Sequence, residues 1–173
     1  MQIRLTGLTV TALGASALVA GPAAGQTLDL SITIPKLSVA EYHRPYVAVW
    51  LEKEGAAPRS LAVWYDFDMK ANEGTKWLRD IRQWWRASGR SMSFPADGVT
   101  GATRAPGTHK LSFTAGRGPM PVLTGGDYTL VVEAAREVGG RELLRLPFKV
   151  PASGTVKAQG SGELGAVSLT VRR

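Results

Sequence analysis

The sequence predicts an all-β domain interrupted by one helix. Three observations lead there. Apolar and polar residues alternate with period two along several short stretches; glycine- and proline-containing turns separate those stretches at intervals of about ten residues; and a single segment switches to the helical period. Strands this short and this evenly punctuated suit an antiparallel β-sandwich of immunoglobulin or fibronectin type III character. The chain has no cysteine, which removes a disulfide framework, a thiolate nucleophile and cysteine-held metals. Its core has to hold by packing alone.

Residues 1–25, MQIRLTGLTVTALGASALVAGPAAG, carry one positive charge at Arg4, an apolar stretch from Leu8 to Ala20, and small residues at Ala23 and Gly25. This is the pattern of a secretory signal cleaved near Gly25–Gln26, and it predicts a periplasmic protein whose residues 26–173 form one domain. In TLDLSITIP, Leu28, Leu30, Ile32 and Ile34 share one face and Asp29, Ser31 and Thr33 the other, giving a half-buried strand. YVAVWLEK (46–53) and LAVWYDFD (61–68) are denser in β-branched and aromatic residues and read as strands nearer the middle of a sheet, joined by the Gly55–Pro58 turn.

The period then changes. Trp77, Leu78, Ile81, Trp84 and Trp85 fall at i, i+1, i+4, i+7 and i+8, with Arg79, Arg82 and Arg86 on the other side, which predicts a helix over 75–88 stopped at Gly89. Residues 89–107 show no sustained period and read as a long loop of functional kind. Strands resume at HKLSFTA (109–115), DYTLVVEAARE (127–137), RELLRLPFKV (141–150) and GAVSLTVR (165–172). Gly139–Gly140 reads as a hairpin turn with positive φ, and PASGTVKAQGSG (151–162) as a polar connector. The count is about seven strands and one helix.

Little in this chain suits hydrolysis or metal chemistry. His43 and His109 are the only imidazoles, no serine sits in a G-x-S-x-G setting, and Asp66 and Asp68, placed on one strand face, lack a third ligand. The net charge of +7 is spread without long basic runs, which argues against nucleic acid and allows an anionic cofactor or an acidic partner. Lys76, Arg79, Arg82 and Arg86 read as a solvated face open to such a partner. Trp50 and Trp64 on the strands and Trp77, Trp84 and Trp85 on the helix read as a helix packed on a sheet through indole rings, with an aromatic shelf for a planar ligand as the other possibility.

One stretch stands apart. DGVTGATR, residues 97–104, packs an acid, two hydroxyls and two glycines into eight residues. It is either an Asp-Gly turn followed by a Thr-Gly turn, or a loop whose exposed hydroxyl and small neighbours let a modifying enzyme approach. Asp97-Gly-Val-Thr-Gly-Ala-Thr103 resembles the acceptor motif of ApbE-type flavin transferases, D-x-x-[S/T]-G-A-[T/S], found in FMN-carrying subunits of sodium-pumping NADH:quinone reductases and Rnf complexes. That resemblance implies Thr103 as the FMN acceptor through a phosphoester, with Asp97, Thr100, Gly101 and Ala102 recognised by the transferase. Ala105 stands where many members of that group have a further hydroxyl, and the β-rich pattern differs from their α+β domain.

Residues 28–150 also resemble an uncharacterised family of predicted periplasmic proteins that accompany PepSY-type membrane proteins and flavin transferases. Together the resemblances imply a periplasmic electron carrier with covalent FMN, served by a flavin transferase and a PepSY-type membrane reductase. Arg104 and Arg90 are then expected near the flavin phosphate, with Thr103 exposed on its loop. The carrier would itself be a substrate more than an enzyme. The other expectations are a non-redox binding or assembly module that docks a membrane partner and, ranked below it, a small lipid- or metal-handling protein.

Overall fold

The computed structural model describes residues 25–173; the expected signal segment, Gly25 excepted, lies outside the described residues. Nine strands run through the described chain: β1 (Thr27–Ile34), β2 (Tyr46–Glu52), β3 (Arg59–Trp64), β4 (Thr100–Gly101), β5 (Gly107–Thr114), β6 (Gly126–Ala135), β7 (Arg141–Val150), β8 (Gly154–Gln159) and β9 (Ala166–Arg172). They form two sheets, in the orders β5-β1-β9-β8 and β4-β3-β2-β6-β7. Pairing is antiparallel throughout except between β3 and β4.

The alternation in β1 acts as expected: Leu28, Leu30, Ile32 and Ile34 are buried, and Leu30 lies opposite Leu169. They join Val47, Val49 and Leu51 of β2 and Leu130 and Val132 of β6 in one apolar core shared by the two sheets. The outer face of the five-stranded sheet carries a second core. Tyr46, Ala48, Trp50, Val63 and Val131 meet Leu78, Ile81 and Trp84 of the helical excursion. Strands β2 and β6 are therefore covered on both faces, which is why their sequences run apolar without alternation.

The excursion is not the continuous helix predicted for 75–88. Lys70–Asp80 forms 3-10 turns broken by left-handed Ala71 and Asn72, only Arg82–Ala87 is α-helical (α1), and Gly89–Ser91 adds another 3-10 turn. Packing against the sheet overrides the helical period. Glu133 of β6, with no solvent exposure, accepts the N–H groups of Gln83 (3.1 Å) and Trp84 (2.8 Å) and so pins the start of α1. The Trp84 indole donates to Ser60 Oγ at 2.8 Å. Gly89 ends nothing by a left-handed turn; an added Cβ there would meet the Trp84 ring at 2.7 Å, so close approach to the indole is what requires a glycine.

Other expectations are corrected in the same way. Trp64 belongs to the inner core, not to the helix contact, because it lies opposite inward-facing Val47; further along β3, Ala62 faces Val49 and Ser60 faces Trp50, leaving Leu61 as an extra residue in a bulge. Asp66 and Asp68 lie beyond the end of β3 and share no strand face. The β6–β7 connection takes its positive φ at Val138 (50°), with Ala135 paired to Arg141. The polar connector contains β8, an edge strand whose Val156 and Ala158 touch the core. Its alternation was masked by Thr155, Lys157 and Gln159. The loop 89–107 is tied down by β4, which lies parallel to β3.

Two carboxylates lock the sheets together at one end. Glu142 accepts the N–H groups of Ser161 (2.6 Å), Gly162 (3.0 Å) and Leu164 (2.8 Å). Burial works against its charge, but those donors outweigh it and hold the carboxyl below its ordinary pKa. Glu163 returns the contact, accepting from Arg136 Nε (2.9 Å) and the Gly140 N–H (2.8 Å).

Candidate functional site

The end of β4 brings the 97–104 stretch beside the end of β3. Val63 N–H donates to Val99 O (2.8 Å) and Tyr65 N–H to Gly101 O (3.0 Å), so the stretch is held as an added strand. Thr100 Oγ1 accepts the Ala96 N–H at 2.8 Å and closes the turn before it. Gly101 crosses Trp64 closely; a Cβ would lie 3.0 Å from the indole Cδ1. Asp97 lines a separate recess with Ser60, Ser88 and Pro119. Ala102 is exposed.

Thr103 turns the other way. It is 8 % exposed, where an exposed loop hydroxyl was expected, and its Oγ1 donates to Asp66 Oδ1 at 2.9 Å. The reason is local: strand alternation past β4 turns Ala102 out and Thr103 in, and the exposed Asp66 after β3 supplies the acceptor.

Thr103 also lines a cavity of roughly 530 Å³ at this end of the five-stranded sheet. Tyr42 and Arg44 from the segment before β2, Trp77 from the 3-10 turns and Arg136 after β6 contribute to its walls. A second recess, lined by Tyr65, Phe67, Asp68 and Ala102, shares Arg44, Asp66, Met69 and Thr103 with the first. Thr103 therefore lies where the two meet. A recess of about 640 Å³ lies elsewhere on the sheet, against Lys53, Tyr128 and Phe148, and includes no residue of 97–104.

The 3-10 segment is held at the cavity through Gly74. Gly74 packs on the Asp66 backbone so tightly that an added Cβ would meet the carbonyl oxygen. Tyr46 donates its hydroxyl to Gly74 O at 3.1 Å, and burial pushes that phenol up to about 12. Burial likewise raises Tyr42, with the nearby Arg136 opposing. Both phenols are neutral donors at ordinary pH. His43, also on the lining, lies 2.9 Å from Glu41 and 3.6 Å from Glu137.

The cations near Thr103 differ from those expected. Arg104 lies over the Trp64 ring, 5.3 Å from its centroid, and neither Arg104 nor Arg90 borders the cavity; Arg44 and Arg136 do. The Arg136 side chain is 6 % exposed and bonded to Glu163, yet its Nη1 has no partner among the described residues, nor has the Tyr42 hydroxyl. Trp50 and Trp84 are wholly buried and form no shelf, while Trp77 is partly open on the cavity. His109 contacts Ala105 O at 2.8 Å and the edge of Trp64, away from the cavity. Among the described residues no group of three or more histidines and carboxylates is placed to hold a metal.

Comparison with known families is decisive on one point. Residues 27–166 match the family described as Predicted periplasmic protein (DUF2271). The chain belongs to this family. Its location is accordingly periplasmic, and no helix among the described residues is long and apolar enough to cross a membrane. Neither curated proteins nor solved structures gave a match.

Sequence reasoning missed Asp66 and Arg44 as companions of Thr103. Asp66 stands 37 residues from its partner, and no local spacing signals such a contact.

Proposed function

We propose that this periplasmic protein is an electron carrier bearing FMN on Thr103. One observation carries the reading: Thr103, the final residue of the D-x-x-T-G-A-T stretch, lines a cavity large enough for a cofactor, whose walls hold Tyr42 and Trp77, the cations Arg44 and Arg136, and the carboxylates Asp66, Asp80 and Glu137. The residues present fit the group. Arg44 borders both recesses at Thr103 and supplies the charge a phosphate needs; Trp77 and Tyr42 supply aromatic surface. Bound flavin would provide the electron transfer, and the protein its retention, orientation and electrostatics. Covalent attachment suits the periplasm, where a dissociated cofactor is lost by diffusion.

In the attachment step the Thr103 oxygen forms a bond to the FMN phosphorus of FAD, the bridging P–O bond of the pyrophosphate breaks, and AMP leaves with the electron pair. The hydroxyl proton passes to a base, for which Asp66 is already in contact. A transferase reaches so enclosed a hydroxyl when residues 102–106, which lie outside any strand, swing away from Asp66. A PepSY-type membrane reductase is the electron partner this reading assigns.

The burial of Thr103 favours a second reading, a non-redox module that docks a membrane partner through the exposed arginines 79, 82 and 86. Production with a flavin transferase separates the two. A carrier gives a band on a denaturing gel that fluoresces as flavin, lost in Thr103→Ala and kept in Thr103→Ser; a docking module gives a dark band in all three.

We also infer an immunoglobulin-like sandwich with altered strand order. The succession β7-β6-β2-β3 corresponds to G-F-C-C′ and β9-β1-β5 to A-B-E, with the A position filled from the C-terminal side. Tyr128, near the start of β6, supports this: its hydroxyl bonds back to Thr124 O and accepts the Thr124 N–H, both at 3.0 Å, as in a tyrosine corner.

A further inference from the structure

We propose that the cavity lined by Tyr42, Arg44, Trp77 and Arg136 is the seat of the flavin ring, so that the ring rests on this domain and does not swing free on its tether. The inference depends on Thr103 being the acceptor and adds where the attached ring goes.

The tether itself points there, because Thr103, whose oxygen would carry the phosphate, is a residue of the cavity lining. The walls match a planar ring with a polar edge. Trp77 and Tyr42 provide aromatic surface, and Arg44 and Arg136 provide donors at separate points of the lining. The Arg136 end is built ahead of any ligand. Glu163 fixes Nε and Nη2 at 2.9 and 3.2 Å, and the guanidinium carbon lies 6.0 Å from the Tyr42 ring centroid. Nη1 and the Tyr42 hydroxyl are enclosed with no partner among the described residues, and a small turn of either side chain toward the cavity would let a ring carbonyl accept from it. The larger recess at Lys53 and Tyr128 has no such connection to Thr103.

The test uses the mature protein produced with a flavin transferase and verified by mass to carry the adduct. A flavin stacked on an indole or phenol loses its emission. The native protein is expected to be several-fold dimmer than the same sample in denaturant, Trp77→Leu to recover most of that emission, and Arg136→Met to shift the reduction potential, each with the adduct intact. Trp77→Phe, milder in packing, is expected to recover emission in part and guards against misfolding of the leucine variant. Equal emission in native and denatured protein, unmoved by these variants, would overturn the seat while leaving the carrier reading standing. Absence of the adduct would overturn both.

Discussion

The two faces of the five-stranded sheet are packed by different chemistry. The inner face meets the second sheet mainly through aliphatic side chains such as Val47, Val49, Leu130 and Val132, with Trp64, Tyr128 and Phe148 among them, and its order comes chiefly from area removed from water. The outer face meets the helical excursion through Trp50, Trp84 and Tyr46, with Ser60 and Glu133 buried among them. There Ser60 and Glu133 are bound by partners on other segments: Trp84 Nε1 for Ser60, and the start of α1 and Arg141 for Glu133. The inner face would tolerate repacking with other aliphatics of similar volume. The outer face tolerates little, because its segments are held in place by individual donors and acceptors. The cavity with Thr103 lies at the edge of that outer layer, so its shape depends on those contacts.

This contrast sets the expected effects. Leu130→Ala, a truncation in the aliphatic face, is expected to destabilise by about 2–5 kcal/mol in denaturant unfolding, with little change in where flavin attaches to the remaining folded protein. Glu133→Ala, on the outer face, strands buried N–H groups at the start of α1 and is expected to cost about 1–3 kcal/mol. Its distinguishing sign is loosened amide-exchange protection confined to residues 82–88; unchanged protection there would show that the carboxylate does not hold α1. Gly74→Ala forces the 3-10 segment off the Asp66 backbone, at about 1–3 kcal/mol, and should alter the environment of Trp77 by fluorescence.

Glu142 gives the pH-dependent member of the series. Its folded pKa lies below the unfolded value, so its contribution is present above the ordinary carboxylate range and is lost as pH falls through the lower folded value. Glu142→Gln is expected to be less stable than the parent at neutral pH, with the gap closing in acid. A gap of constant size would remove the linkage. Thr103→Ala should be the mildest of all in stability. It loses one hydrogen bond to an exposed carboxylate, roughly 0.5–1.5 kcal/mol, while a loss of several kcal/mol would mark the pair as a structural strut.

The same contrast explains what could be read in advance. Period-two alternation located β1 because burial of one face leaves a local trace, β-branched and aromatic density located β2 and β3, and turn residues bounded β5, β6, β7 and β9; β2 and β6, covered on both faces, are apolar with little alternation. The excursion was legible as apolar spacing but not as geometry. Its breaks at Ala71, Asn72 and Ile81 answer to Glu133 and Ser60, remote in sequence, and to the Asp66 carbonyl against which Gly74 packs. Strand β8 escaped because its outward residues are polar and its inward ones are only Val156 and Ala158. For the site, the Thr103 stretch stood out by composition, whereas its burial, its bond to Asp66 and the cations Arg44 and Arg136 arise from topology that brings the ends of β3, β4 and β6 and the start of β2 to one edge of the sheet.

The most direct test of the central claim is the intact mass of the mature chain purified from cells that also make a flavin transferase. The account predicts an increase equal to FMN less one water, mapped to the peptide containing Thr103 and missing in Thr103→Ala. A mass equal to the bare polypeptide would contradict it.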